Sequence, residues 1–455
     1  MKDLTKGKPS ILILTFALPI FLANLLQLTY SVADTRIVGS FLGEDALAAV
    51  GATTTLSNLL IQFLMGLCNG FAILSAQYFG AGNRERLRKS FAASLVMGMA
   101  VALGLTVLGL VFLKPLLRFL NVPESLMDVA SGYISIIIAG LLATLLYDVL
   151  SAVMRALGDT VTPLIVLAIS VGLNVIGDLF FVVVLKSGVY GAAAATVLAQ
   201  AIAAAVCFAY LWKKYELLRI RKEDLAFWKW AGKGSGEREQ NRLMFHNMLA
   251  SGLSMGFMSS LVNIGTVTLQ TSINKLGQDI IIAHTAARKI SEIFMIMFSV
   301  FGQTMATYCG QNLGAGKPER IKKGILLAIG YTCIWCAMSA LASYTIGGFL
   351  VHLVTGSNRR EIVDTATAYL KFDTLFYWVT AVICIVRNAL QGLGERIVPL
   401  ISSSLEMVGK IVIALTLVPL LGYTGVILAE PLVWLIMVVP LVIKIFRMPV
   451  LKKAA

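Results

Sequence analysis

Charged residues are scarce in this chain of 455 residues. Asp, Glu, Lys and Arg together make up 14% of it, whereas hydrophobic residues make up 58% and the mean hydropathy is +0.83. Soluble globular domains carry about 25% charged residues. This composition therefore excludes a soluble globular protein and indicates an integral membrane protein. The first apolar run, from about Ile11, lacks a small-residue cleavage pattern after a short apolar core. We therefore expect a retained helix rather than a signal peptide.

Histidine is scarce, and the sequence lacks the nucleotide-binding and metal-binding motifs that would indicate an ATP-driven pump or a metalloenzyme. Only His246, His284 and His352 occur, on different segments, and the sequence contains no Walker A or H-E-x-x-H motif. The six cysteines fall inside apolar runs, which favours packing roles over a redox or metal site. We expect no enzymatic activity and no resident cofactor.

Positive charge is in excess, with 38 Lys and Arg against 24 Asp and Glu and a net charge of +14. In a membrane protein the simplest explanation is that cytoplasmic loops collect the basic residues, so the excess does not indicate nucleic-acid binding. If the N-terminus is cytoplasmic and each predicted helix crosses once, most Lys and Arg lie on the cytoplasmic side. We predict a multi-pass protein of the bacterial plasma membrane with both termini in the cytoplasm.

Twelve apolar runs are long enough to span a bilayer. They lie near 11–39, 46–79, 88–118, 124–157, 161–186, 188–215, 245–275, 279–313, 319–353, 361–393, 397–420 and 422–447. The longest polar interval, Lys213–Arg242, is basic and interrupted by glycine. It predicts an N-terminal six-helix bundle (1–215), a basic cytoplasmic linker (216–244) and a C-terminal six-helix bundle (245–455).

Three motifs of the first half recur in the second half. AQYFGAGNRERLRKS (76–90) matches CGQNLGAGKPERIKKG (309–324), ALGDTVTPL (156–164) matches GLGERIVPL (392–400), and GVYGAAAA (188–195) matches GYTGVILA (422–429). The offsets are 234 (311 − 77), 236 (392 − 156) and 234 (422 − 188) residues. Six helices per half is an even number, so both halves enter from the same side, as in parallel repeats related by an axis along the membrane normal.

The fifth apolar run, Val161–Leu185, carries Asn174 and Asp178, four residues apart and so on one helical face. A carboxylate near the bilayer centre costs roughly 2.5–3.5 kcal/mol on insertion scales, so such groups usually mark an ion or substrate path. The alternative is a structural carboxylate that pairs with a buried cation. No basic residue lies within this run, so that partner would come from another helix.

The sequence resembles the multidrug and toxic compound extrusion (MATE) family, and within it the DinF-like branch. The resemblance rests on the GAG-x-x-E-R loops, the LG-x-x-x-x-P turns, LTYSVADTRIVG in the first helix and N-x-x-x-D in the fifth. It implies an all-α, V-shaped fold of two pseudo-symmetric bundles. It also implies a monomeric secondary antiporter that exports amphipathic or cationic organic compounds in exchange for H⁺ or Na⁺ by alternating access.

The resemblance further implies a cation site in the N-terminal bundle. On matching positions its members are Asp34, Asn174, Asp178, Thr196 and the backbone carbonyl of Ala192. Tyr30 and Tyr133 match aromatic positions of the same cavity, in which Asp34 and Asp178 also contact substrate. Helix 1 is expected to bend at Pro19. By helical rise, the key side chains lie about 8–14 Å in from the outer helix ends, so one cavity can contain them.

The chemistry of this set fits either coupling ion. Carboxylate, amide, hydroxyl and carbonyl oxygens are hard donors, which suit an alkali cation such as Na⁺ held by Asp34, Asn174, Asp178 and Thr196. Two carboxylates in a low-dielectric cavity also favour the binding of a proton by one of them. Sodium and proton coupling both remain open.

Two further carboxylates within predicted helices of the second half have a basic residue four positions away. Glu292 follows Arg288 by four residues, so it either forms an ion pair with Arg288 or, as the resemblance implies, binds cationic drugs. Glu406 and Lys410 have the same spacing, and there we favour a structural pair.

The main alternative function is a flippase for lipid-linked precursors or polysaccharides in the same superfamily. Such proteins typically bring extra helices and a more cationic central cavity. Twelve predicted helices and an acidic N-terminal pocket favour drug export.

Overall fold

The structure, a computed structural model, describes residues 2–120, 122–225, 235–356 and 359–452, and these residues form helices without a strand. The helices of the first half are α1 (Pro9–Leu42), α2 (Glu44–Gly80), α3 (Arg84–Val111), α4 (Leu113–Phe119), α5 (Met127–Ala139), α6 (Leu141–Ala156), α7 (Val161–Asp178), α8 (Gly188–Lys214) and α9 (Lys222–Leu225). Those of the second half are α10 (Ser235–Ile273), α11 (Gln278–Gly314), α12 (Pro318–Thr345), α13 (Gly347–Thr355), α14 (Arg360–Leu375), α15 (Tyr377–Gly392), α16 (Ile397–Leu415), α17 (Leu417–Leu421), α18 (Tyr423–Arg447) and α19 (Pro449–Lys452). Short 3₁₀ turns occupy Glu124–Leu126 and Glu216–Leu218, and Leu179–Val184 is π-helical.

Within the described residues, ten helices are long and apolar enough to cross a membrane. Two of the twelve predicted spans are broken instead: α5 and α6 meet at Gly140 with a bend of 42°, and α14 and α15 meet at Phe376 with a bend of 52°. Counting each bent pair as one span gives up to twelve. A side chain at Gly140 would lie 2.3 Å from the Val197 side chain, so the break lies where α8 packs closely.

The repeated motifs form equivalent turns. At the ends of α2 and α11, Gly82 and Gly316 adopt positive φ angles of 69° and 65°, which glycine reaches without steric cost. Gly158 and Gly394, before α7 and α16, do the same at 84° and 87°. The sequence repeat is therefore a repeat of backbone conformation.

The chain divides into two compact units. The first comprises Met1–Asp3 and Leu18–Gly256, and the second comprises Leu4–Ala17 and Phe257–Ala455. These bounds differ from the predicted bundles, because the start of α1 packs with the second unit and the start of α10 with the first. The predicted linker 216–244 also contains helix: α9 lies within it, and α10 already begins at Ser235.

The first unit holds the predicted site and packs tightly around α2. Cβ atoms at Gly66 and Gly70 would lie 2.6 Å from the carbonyl oxygen of Met255 and 2.5 Å from that of Ser251. Glycine thus allows the backbones of α2 and α10 to touch, which is a common way for membrane helices to pack.

Candidate functional site

Polar side chains of α1, α7 and α8 meet inside the first unit. The Tyr30 hydroxyl lies 3.4 Å from Thr196 Oγ1, and the side-chain amide of Asn174 lies 3.2 Å from the same oxygen. Asn174 is 3% exposed, and Asp178 is fully buried. Residues from three separate helices therefore form one polar cluster, which we call the N-unit cluster: Tyr30, Asp34, Asn174, Asp178 and Thr196.

The Asn174 amide satisfies its neighbours when its oxygen faces Thr196. The oxygen then accepts from Thr196 Oγ1 at 3.2 Å and from the Thr196 backbone amide at 3.0 Å. Its nitrogen donates to Asp178 Oδ2 and to the Tyr30 hydroxyl, both at 3.2 Å. Asn174 thereby joins α1, α7 and α8, and it orients one oxygen of Asp178.

The carboxyl groups of Asp34 and Asp178 are within hydrogen-bonding reach of each other. Among the residues that the structure describes, no Lys, Arg or His forms an ion pair with either one, and the buried Oδ1 of Asp178 has no hydrogen-bond partner. Two carboxylates so close in a low-dielectric interior repel each other unless a cation or a proton lies between them. The arrangement can therefore bind one positive charge.

The remaining predicted residues lie around this cluster. The carbonyl of Ala192 accepts a hydrogen bond from Thr196 Oγ1 at 3.1 Å. Tyr133, on α5, is near enough to both aspartates to interact with them electrostatically. Immediately after Asp178 the chain changes from α-helix to π-helix, an irregularity that is frequent at functional sites.

A small cavity of about 40 Å³ adjoins the cluster. Its lining residues include Gln27, Ser170 and Gln200 as well as Tyr30 and Asn174. This volume holds water molecules rather than a drug, since one water needs about 10–15 Å³ of such space.

Pro19, the predicted hinge, lies within α1, and the helix continues through it. It lies two residues after Ala17, the last residue of α1 that packs with the second unit. A proline at this point removes one helical hydrogen bond and lowers the cost of bending. The hinge role itself stays a prediction.

The second unit contains a separate network of buried charges. Lys410 Nζ lies 3.0 Å from Glu406 Oε1 and 3.1 Å from Glu430 Oε1. Arg288 Nη1 lies 3.4 Å from Glu430, and Arg387 Nη1 lies 3.9 Å from Glu406. The predicted pair of Glu406 with Lys410 is confirmed.

Of the two alternatives left open for Glu292, the ion pair with Arg288 does not form among the described residues. Arg288 is directed to Glu430, a buried carboxylate on α18 that needs a counter-charge more than the exposed Glu292 does. Glu292 forms no ion pair with any described residue and lines a cavity of about 230 Å³ in this unit. It is thus not part of the N-unit cluster.

No spacing pattern indicates the bond between Arg288 and Glu430, because 142 residues separate them. The contact of Lys410 with Glu430 was missed for the same reason. Spacing along one helix reveals pairs on that helix only.

Comparisons with known proteins match this architecture. The MatE family model matches residues 19–180 and 254–416, which together make up more than half of the chain. YpnP of Bacillus subtilis (strain 168), a probable multidrug resistance protein, is 26% identical over 395 residues, covering 87% of this chain and 85% of YpnP. YoeA of the same strain, also a probable multidrug resistance protein, is 27% identical over 357 residues, 77% of this chain and 72% of YoeA.

A solved structure shares the fold over the full length. It is an outward-facing conformation of a multidrug resistance MATE family transporter of the MOP superfamily. Its TM-score is 0.85 at 22% identity, with 100% of this chain and 99% of that chain covered.

Proposed function

This chain belongs to the MatE family of membrane transporters, which are not enzymes, and from that premise we propose that it is a secondary antiporter. It exports amphipathic, often cationic, organic compounds and takes up Na⁺ or H⁺ in exchange. The relatives YpnP and YoeA, named as probable multidrug resistance proteins, support small organic compounds as the cargo.

The observation that carries the proposal is the pair of aspartates in the N-unit cluster. Asp34 and Asp178 come from different helices, face each other and lack a basic partner among the described residues. A purely structural carboxylate would be paired with a cation, since an unpaired buried charge costs several kcal/mol. A site that is completed only by an incoming cation suits a coupling ion.

The ligand atoms of this cluster support a hard monovalent cation or a proton. Asp34, Asp178, Asn174 and Thr196 offer carboxylate, amide and hydroxyl oxygens, the donor types that alkali cations prefer. With Na⁺ as the coupling ion, these four side chains hold it. With H⁺, the proton resides on one of the two aspartates.

Exchange follows if cation binding and cargo binding oppose each other. When a cation enters the cluster, it draws Asp34 on α1 toward Asp178 on α7, and α1 changes its shape about Pro19. That change lowers the affinity for cargo held near Tyr30 and Tyr133. A ligand shifts such an equilibrium only by its difference in affinity for the two shapes, so the cation must bind one α1 shape more tightly.

We propose that the protein lies in the plasma membrane as a monomer with both termini in the cytoplasm. The basic loop residues support this orientation. Arg84, Arg86 and Arg88 follow α2, and Arg320, Lys322 and Lys323 follow the equivalent turn after α11.

Reconstituted transport tests the proposal. Purified full-length protein in proteoliposomes is given ethidium, a fluorescent organic cation, with a sodium gradient at equal pH or a pH gradient without sodium. We expect ethidium movement without ATP, driven by one gradient and abolished when that gradient is dissipated. Movement that needs ATP, or that persists without either gradient, would contradict the antiport mechanism.

A further inference from the structure

The cavity of about 230 Å³ in the second unit is lined by charged groups of both signs, and none of them belongs to the N-unit cluster. Its basic lining residues are Arg288, Arg387 and Lys410, and its acidic ones are Glu292, Glu406 and Glu430. The cavity lining has as many basic as acidic residues. The close ion pairs, however, involve only some of these residues and leave others without a nearby counter-charge.

Most of the charge is neutralised within the network. Glu430 is bound by both Arg288 and Lys410, and Glu406 is bound by Lys410 at 3.0 Å. Lys410 is 2% exposed and so belongs to the wall rather than to the open space.

Two lining groups are left incompletely neutralised. Arg387 lies 3.9 Å from Glu406, the limit of an ion pair, and its buried Nε has no hydrogen-bond partner among the described residues. Its Nη1 otherwise donates to Ser403 Oγ at 3.3 Å. Glu292 has no ion-pair partner in the part of the chain that the structure describes. The cavity therefore offers one guanidinium and one carboxylate to a ligand.

The packing of α11 and α15 separates these two groups. A Cβ at Gly302 would lie 3.2 Å from the carbonyl oxygen of Cys384, and one at Gly392 would lie 2.4 Å from that of Ala306, so the two helices run parallel. Arg387 is thus level with Gly302, whereas Glu292 precedes Gly302 on α11 by ten residues, about 15 Å of helix. Both side chains nevertheless line the same cavity, so the two charged groups lie at separate places along its wall.

Part of the cavity wall is apolar. Trp434 and Met437 contribute from α18, and Met295 and Ile383 from α11 and α15. The volume lies just below the roughly 300–1,000 Å³ of pockets that hold drug-sized ligands, which suits a small ligand with a short hydrocarbon or aromatic body. Adaptable methionine side chains also tolerate variation in that body.

We propose that this cavity binds an elongated zwitterion, a compound with an anionic group at one end, a cationic group at the other and an apolar body between them. Arg387 binds the anionic end and Glu292 binds the cationic end. The inference rests on the proposed function only in treating the bound compound as cargo. The binding itself needs neither the N-unit cluster nor a gradient.

The test is calorimetric titration of the full-length protein in lipid nanodiscs, with empty nanodiscs as the blank. The probe is 8-aminooctanoate, whose charges lie about 10 Å apart when extended, and octanoate and octylammonium each carry only one of its charges. We expect wild-type protein to bind 8-aminooctanoate most tightly. Glu292→Gln should weaken that binding about tenfold or more and leave octanoate unchanged, because a lost charge-assisted contact costs at least this much.

Arg387→Gln should weaken 8-aminooctanoate and octanoate alike and leave octylammonium unchanged. If Arg387→Gln does not fold, Glu292→Gln decides, since Glu292 is exposed and has no ion-pair partner among the described residues. Asp148→Asn, on α6 and outside the N-unit cluster, is the control in the first unit and should bind the probe like wild type. Undiminished binding by Glu292→Gln, equal wild-type affinity for octanoate and 8-aminooctanoate, or loss of binding in Asp148→Asn would overturn the proposal.

Discussion

Replacing Asp178 by asparagine removes one of the two carboxylates of the N-unit cluster at almost constant shape. Asn174 can still donate to the new amide oxygen, as it does to Asp178 Oδ2 at 3.2 Å. The new amide nitrogen can donate to Asp34. The substitution therefore tests charge rather than packing.

The effect of the lost charge on cation affinity follows from Coulomb's law. A cation 4 Å from a carboxylate gains about 4 kcal/mol at an effective dielectric constant of 20, which corresponds to about a thousandfold in affinity. Because Asp34 remains and the site can admit water, we expect cation binding to weaken by about 10- to 1000-fold. Gradient-driven efflux should fall to the level of empty liposomes.

Stability should change in the opposite direction to function. Without a cation, Asp34 and Asp178 repel each other, so removing one charge should leave the unfolding temperature in detergent equal to or above that of wild type. This outcome separates lost coupling from lost folding.

The assay compares gradient-driven ethidium efflux and thermal unfolding for wild type, Asp178→Asn and Asp148→Asn. Asp148 lies on α6, outside the cluster, with Arg155 as its neighbouring charge, so its substitution should preserve coupled transport. Full coupled transport by Asp178→Asn would refute the assignment of the ion site. A strongly lowered unfolding temperature for Asp178→Asn would refute the picture of two repelling carboxylates.

Two further predictions concern charges outside the cluster. Lys410→Met should destabilise the protein by about 3–5 kcal/mol, because it removes a buried cation from both Glu406 and Glu430. Adding Glu406→Gln should recover part of that loss in thermal unfolding. A double variant less stable than the single one would contradict this reasoning. Burial alone would raise the pKa of Glu395, but hydrogen bonds from Lys444 and two backbone amides lower the pKa below its usual 4.5. The stabilisation from these hydrogen bonds is present above about pH 4.5 and is lost as the pH falls through the folded-state pKa of Glu395. Glu395→Gln should therefore lower the unfolding temperature at about pH 7 and not at about pH 3. An equal effect at both pH values would exclude this ion pair as the cause.

The local features of the fold could be predicted from the sequence. Glycine at positive φ after α2 and α11 follows from the repeated GAG turn, and the position of Asn174 one helical turn before Asp178 follows from their spacing. Long apolar runs predicted the membrane helices, since the backbone must satisfy its own hydrogen bonds in lipid. The pair of Glu406 with Lys410 belongs to the same class, because both residues lie on one helix.

The helix breaks could not be read in the same way. The run 124–157 is continuous in hydropathy, yet the chain bends at Gly140, where Val197 of α8 approaches. The predicted linker likewise ends earlier than its polar composition suggests, because α10 begins at Ser235. At Gly140 a contact distant in sequence accompanies the break.

By itself, the sequence determined which residues share a helical face, where the turns fall and that the two halves repeat, because these depend on spacings of a few residues. Only the tertiary structure decided which faces meet. Arg288 contacts Glu430 instead of Glu292, and the Leu4 backbone amide donates to Gln311 Oε1 at 3.0 Å across 307 residues. Such contacts depend on how whole helices pack, and in a bilayer, where apolar faces gain little by choosing one neighbour over another, shape and buried charge make that choice.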